Sequence, residues 1–357
     1  MRYTYYTLLL VLGSWLAGSC QKSQKEPSDS TATNSTATTD TVMTQTPITT
    51  TGSIVKLDDR LDKIIKPGAT IEVLAKGFTW SEGPLWLPQD NKLLFCDIPP
   101  NKIYQWTEES GLELYLSPSG YTSTQPRGGE VGSNGLILDK EGRLVLCQHG
   151  DRRMARMDAP LRAPKPTFVI LADNYEGKKL NSPNDAVYKS NGDLYFTDPP
   201  YGLEKNIDDP AKELPYQGVY RVTPDGTVQL LTKELSRPNG IAFSPDEKTL
   251  YVANSDPERA IWMVYDVQPD GNIADGRVFF DATEMLKKEP GNPDGLKINK
   301  EGILFATGPG GVLIFSPEGK HLGTIKTGQA TANCAFTPDE STLYITAHMY
   351  LMRVKLK

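Results

Sequence analysis

The sequence predicts an all-β protein, a six-bladed β-propeller, on three observations. A short unit led by a side-chain oxygen recurs six times at a spacing near fifty residues. Each copy is followed by a β-rich run, a turn signal and a second β-rich run. The 31 Gly, 27 Pro and 16 Tyr among 357 residues suit many short strands joined by tight reversals.

The chain opens with a segment that is not part of that fold. Arg2 supplies a positive start, Leu8-Leu9-Leu10-Val11-Leu12 begin an apolar stretch, and Ala17-Gly18-Ser19 precede Cys20. The apolar stretch is short for a membrane span. It resembles a bacterial lipoprotein signal over residues 1–20, with Cys20 as the lipidated residue. Ala17 stands where a bulky aliphatic is usual, and Leu16 lies one place further back. Residues 21–65 read as a flexible polar tether, since a Ser/Thr/Gln-rich stretch buries too little surface to offset its ordering entropy. Gln21-Lys22 lack the aspartate that holds lipoproteins in an inner membrane. The expectation is therefore an exported lipoprotein on the periplasmic or cell-surface side of a bacterial membrane, the outer membrane preferred.

Residues 66–357 are long enough to form one all-β domain and bury about three-quarters of their unfolded surface. The net charge of -6, with no basic stripe interleaved with aromatics, argues against a nucleic-acid partner. If Cys20 is lipidated, Cys96, Cys147 and Cys334 remain, an odd number without C-x-x-C spacing. They read as buried free thiols. The oligomeric state leaves no mark on the sequence.

The copies of the unit begin Ser81-Glu82-Gly83, Ser133-Asn134-Gly135, Pro183-Asn184-Asp185, Pro238-Asn239-Gly240, Pro293-Asp294-Gly295 and Ala332-Asn333-Cys334. Their leads are Glu82, Asn134, Asn184, Asn239, Asp294 and Asn333, at successive gaps of 52, 50, 55, 55 and 39. After Asn184 come the turn Ser190-Asn191-Gly192-Asp193 and the strand Leu194-Tyr195-Phe196-Thr197. After Asn239 come Ser244-Pro245-Asp246-Glu247 and Leu250-Tyr251-Val252-Ala253. Asn-Gly and Pro-Asp pairs supply the dihedrals a hairpin needs. The last copy has room for about three strands before Lys357, so Ile71-Glu72-Val73-Leu74-Ala75 is expected to pair with it and close the ring. A β-sandwich has no reason to repeat one leading chemistry six times.

In a propeller the innermost strands converge on the axis, so equivalent positions form a ring. Asn and Asp are poor strand formers, and packing does not call for six of them. Two carboxylates with amide oxygens suit calcium or magnesium better than zinc. The sequence therefore predicts one axial divalent-metal site, calcium first, with Mg, Mn or Zn also open. Taken singly, each Asn-Gly or Asp-Gly reads more readily as a turn; the metal reading rests on all six together. A second ring is expected 13 to 15 residues later, where the hairpin returns: Asp97, Gln148, Asp198, Asn254, Thr307 and Ala347. His149 and His348 follow two of these positions. Asn134, His149, Asp198, Asn254, Asn333 and His348 are accordingly candidates for contacting substrate.

Trp80-Ser81-Glu82-Gly83-Pro84-Leu85-Trp86, Ser182-Pro183-Asn184-Asp185, Arg237-Pro238-Asn239-Gly240 and Pro293-Asp294-Gly295 together resemble the SMP-30/gluconolactonase/luciferin-regenerating-enzyme family. Cys147-Gln148-His149-Gly150-Asp151-Arg152-Arg153 is similar to its bacterial gluconolactonase branch. The resemblance implies a six-bladed propeller whose divalent ion is held by Glu82, Asn184, Asn239 and Asp294. It also implies hydrolysis of a sugar lactone such as gluconolactone, with Asp294 helping to activate water. Ser182 stands where regucalcin has a substrate-positioning arginine, which leaves the sugar open. Lewis-acid help to water attacking an ester carbonyl is sound chemistry for such a site. No Gly-x-Ser-x-Gly elbow supports a serine hydrolase. The same site could serve another ester or a phosphotriester, or pin a non-catalytic propeller that binds a sugar or a protein.

Overall fold

The structure, a computed structural model, describes residues 49–357. The signal segment, Cys20 and the tether up to residue 48 lie outside the described residues. Six sheets of four or five strands are arranged as blades, with a small hairpin of Asn174–Tyr175 and Lys178–Lys179 beside the third.

Each blade is an antiparallel meander that runs outward from the axis. Blade 1 comprises Ser81–Leu87, Lys92–Asp97, Lys102–Thr107 and Gly111–Leu116. Blade 2 comprises Ser133–Leu138, Leu144–Gln148, Arg153–Met157 and Phe168–Ala172. Blades 3, 4, 5 and 6 begin at Ala186, Pro238, Leu296 and Thr331. Every predicted lead sits within or just before an innermost strand.

The ring closes as expected: Ile71–Lys76 pairs antiparallel with Tyr350–Lys355, so blade 6 takes strands from both ends of the domain. The tether expected over residues 21–65 needs correction at its far end. Thr49–Thr51 pairs with Ile71–Lys76 on blade 6, and Ser53–Lys56 pairs with His321–Lys326 on blade 5. A short helix, Leu61–Ile64, then buries Leu61 in the core. Polar Thr and Ser residues formed these edge strands because an edge needs backbone pairing more than apolar side chains. Gly52 makes the step between the two blades at φ +63, where a Cβ would lie 1.9 Å from the Lys326 carbonyl.

The apolar core is six clusters, one at each junction between neighbouring blades. Leu94, Cys96, Leu136 and Leu146 join blades 1 and 2, for example, and Phe95, Trp106, Tyr344 and Leu351 join blades 1 and 6. Period-two strands buried on both faces produce this layout. The three cysteines are buried and unpaired within it.

At the axis the blades approach more closely than any side chain permits. A Cβ on Gly83 would lie 2.0 Å from the Asn134 carbonyl, and one on Gly240 would lie 2.3 Å from that of Asp294. Gly135, Gly240 and Gly295 have no positive φ. The glycine after these leads therefore serves close approach and not a turn.

Candidate active site

The leads point inward because the ladder is broken where they stand. Pairing slips between Glu82 and Leu85, between Ser133 and Leu136, and between Pro238 and Ile241. Such bulges free a residue from the pleat and re-aim its side chain. In blades 3 and 5 the leads Asn184 and Asp294 precede the strand altogether.

Five of the six leads, Glu82, Asn134, Asn184, Asn239 and Asp294, line one cavity of about 280 Å³. Larger clefts of about 640 and 890 Å³ lie among the hairpin turns between blades and contain no lead. The leads gather in the axial cavity and not in the clefts.

Its electrostatics are those of crowded acid. Glu82 is buried and accepts the Gly83 N–H at 2.8 Å. Loss of hydration, with Asp185 as the main repelling neighbour, pushes its carboxyl up to about 8. Asp294 is pushed well above the usual carboxylate range by loss of hydration and then by Glu82. Asp294 Oδ1 and Asn134 Oδ1 are sealed from solvent and have no hydrogen-bond donor among the described residues. Buried oxygens are ordinarily satisfied. Oxygens left without donors beside two carboxylates form a donor set that fits a hard divalent cation.

The other site expectations divide. Asn333 is buried below the cavity wall, where its Oδ1 takes the Lys297 ammonium at 3.2 Å and the Cys334 N–H at 2.9 Å. It is part of the packing beneath the site and not of the cavity lining. Asp198 and Asn254, expected above the metal, are inward braces. Asp198 accepts the N–H groups of Asn181 and Ser182, each at 2.8 Å. Asn254 accepts the Arg237 N–H at 2.8 Å and donates to the Arg259 carbonyl at 2.9 Å. Asp97 takes the Thr79 and Trp80 N–H groups in the same way. In these three blades the residue at the hairpin's return secures the chain entering the same blade. His149 is fully buried behind Asn184. His348 is exposed, with its ring 5.7 Å from that of Trp80, which lines the cavity.

Sequence reasoning missed Glu130, Tyr201 and Arg237, all of which line the cavity. Arg237 carried one signal, since it stands two places before a lead. Glu130 and Tyr201 lie on the long connections 117–132 and 199–217, which no repeat reveals. The segment Gly150–Arg153 fastens those connections. Arg127 on the first donates to the carbonyls of Gly150 and Gly202. Thr122 binds the Asp151 carboxylate, and Arg152 reaches the Leu180 and Ala211 carbonyls at 2.8 and 2.9 Å.

The family model described as the SMP-30/gluconolactonase/LRE-like region matches residues 80–349. The chain belongs to this family. A gluconolactonase of Zymomonas mobilis is 41% identical over 318 residues, covering 86% of this chain and 87% of that protein. A solved gluconolactonase of Xanthomonas campestris superposes with a TM-score of 0.75 at 30% identity, covering 88% of this chain and 99% of the other. Regucalcin of Bos taurus is 28% identical and covers 77% of this chain and 85% of its own length. Across this SMP-30/gluconolactonase-type chain the matched span runs from Trp80 on the cavity wall into the last blade. It therefore includes every lead.

Proposed function

We propose that this gluconolactonase-like hydrolase opens a sugar lactone in the axial cavity, with a divalent cation, calcium first, held by Glu82, Asn184, Asn239 and Asp294. The observation that carries the reading is the convergence of two strained carboxylates and donor-less amide and carboxylate oxygens on one small cavity. When bound, such a cation polarises an ester carbonyl and stabilises the oxyanion that water attack creates.

The chain's own residues supply the rest. Asp294 stands as the proton acceptor for the attacking water, since its carboxylate lines the cavity beside Glu82. Asn134 presents an unsatisfied oxygen to a substrate hydroxyl. Arg237 lines the cavity, where its guanidinium can reach the lactone's oxygens. Ring opening consumes one water and yields the hydroxy acid, so the step needs no further reactant.

The test is hydrolysis of gluconolactone and a panel of aldonolactones, followed by pH-stat, with calcium and with EDTA. Turnover above background that chelation abolishes is the expected result. A calcium-loaded sample that binds lactone tightly and releases no acid would instead make the cavity a sugar-binding platform. We further propose that Cys20 is lipidated and carries the domain outside the cytoplasm. Palmitate labelling that persists in Cys20→Ser would refute this.

A further inference from the structure

We infer that His149, held by Glu130, is a positioning residue that aims the side-chain oxygen of Asn184 into the axial cavity. This rests on the proposed metal site and assigns its orientation to a pair of residues behind it. His149 follows the second strand of blade 2 and is fully buried. Its Nε2 lies 3.5 Å from Asn184 Nδ2. Its Nδ1 lies 3.2 Å from Glu130 Oε2, an ion-pair distance, and makes no hydrogen bond among the described residues.

The backbone around the imidazole leaves it little freedom. The His149 backbone N–H donates to the Gly132 carbonyl at 3.2 Å. Gly202 packs against it so closely that a Cβ there would lie 2.7 Å from His149 Cβ. Gly202 is itself held by Ser182 Oγ and Arg127.

The chemistry then follows from donors and acceptors. Asn184 turns its NH₂, a donor, to His149 Nε2, so that nitrogen is the bare one and the hydrogen lies on Nδ1, which faces the Glu130 carboxylate. The opposite tautomer would set a bare Nδ1 against a carboxylate, two acceptors at 3.2 Å. With the hydrogen on Nδ1, Nε2 offers a lone pair to Asn184, which must answer with its NH₂. The two ends of an amide point apart, so Asn184 Oδ1 turns away from His149 and toward the cavity that Asn184 lines. Glu130 thus selects the tautomer, His149 selects the amide orientation, and Asn184 presents oxygen, the end that a cation takes.

The experiment has two arms. The first reads the tautomer by long-range 1H–15N correlation on the metal-free chain, which has only three histidines to assign. His149 should show a protonated Nδ1 and a bare Nε2, and Glu130→Leu should destroy that signature. A protonated Nε2 in the wild type overturns the inference. The second arm measures calcium affinity by calorimetry, with kcat and KM for gluconolactone, in variants shown to be folded by their melts. His149→Leu should lose about 10- to 100-fold in affinity, and His149→Gln, which returns an acceptor to Asn184, should recover most of it. His149→Leu binding calcium as tightly as wild type overturns the inference while the metal site stands. A wild type that takes up no calcium refutes the metal site, and the first arm still decides the tautomer.

Discussion

Two rings of polar side chains circle the axis of this propeller, and their fates differ. Five of the six leads at the start of the innermost strands line a cavity, and Asn134 and Asp294 keep oxygens left unsatisfied there. The residues at the hairpin's return, such as Asp97, Asp198 and Asn254, have partners in the backbone just before the lead of their own blade. Both rings repeat, so repetition alone does not mark function. What separates them is whether a donor reaches the oxygen. Asp198 has two N–H donors, whereas Asp294 Oδ1 has none among the described residues.

The largest expected effect tests that contrast directly. Asp294→Asn should lower kcat for gluconolactone by on the order of 10²–10³-fold, the scale of losing one charge-stabilising group at a reacting centre. The same variant should melt higher than wild type when both are metal-free, because one of two mutually repelling buried carboxylates is gone. A variant that loses activity and stability together would place Asp294 with the braces. Asp198→Ala should behave in the opposite way, losing about 2–3 kcal/mol of unfolding free energy as two N–H groups lose a carboxylate acceptor. Its folded fraction should retain calcium binding in calorimetry.

A smaller effect distinguishes the rings by pH. Glu82 is raised to about 8 and Asp198 to about 7, both chiefly by burial. Between pH 5 and 8 the folded, metal-free chain therefore holds protons that the unfolded chain has released. Stability must then fall as pH rises across that window. Calcium should remove the part owed to Glu82 and Asp294 and leave the part owed to Asp198. Denaturation midpoints in EDTA and in calcium, taken from pH 5 to 8, should diverge most at pH 8. Parallel curves would show that no cation reaches Glu82.

Much of this was legible in the sequence. The blade count, the closure by Ile71–Lys76 and the gathering of Glu82, Asn134, Asn184, Asn239 and Asp294 all follow from a period and a strand pattern. What escaped is what periodicity does not carry. Thr49–Lys56 reads as tether because edge pairing asks nothing of side chains. Glu130 and Tyr201 come from connections with no counterpart in other blades. Asp198 and Asn254 read as substrate contacts, since spacing shows where a side chain stands and not which N–H groups come to meet it.

His348 gives the finest test of that lesson. Its neighbour in the hairpin-return ring is Ala347, the one member of the ring with no polar side-chain atom, so no brace is lost there. His348 itself is exposed, at φ 49, a left-handed turn position outside the cavity lining. Its side chain meets the site through its ring beside Trp80, while its carbonyl takes the Ser81 N–H at 2.8 Å. His348→Ala should change unfolding free energy by no more than about 0.5 kcal/mol, as at other surface positions, and leave kcat unchanged. Any effect should appear as a change in KM through Trp80. A tenfold fall in kcat would mean that His348 reaches the reacting centre in the substrate complex, and that the return face is wetter and more mobile than its hydrogen bonds indicate.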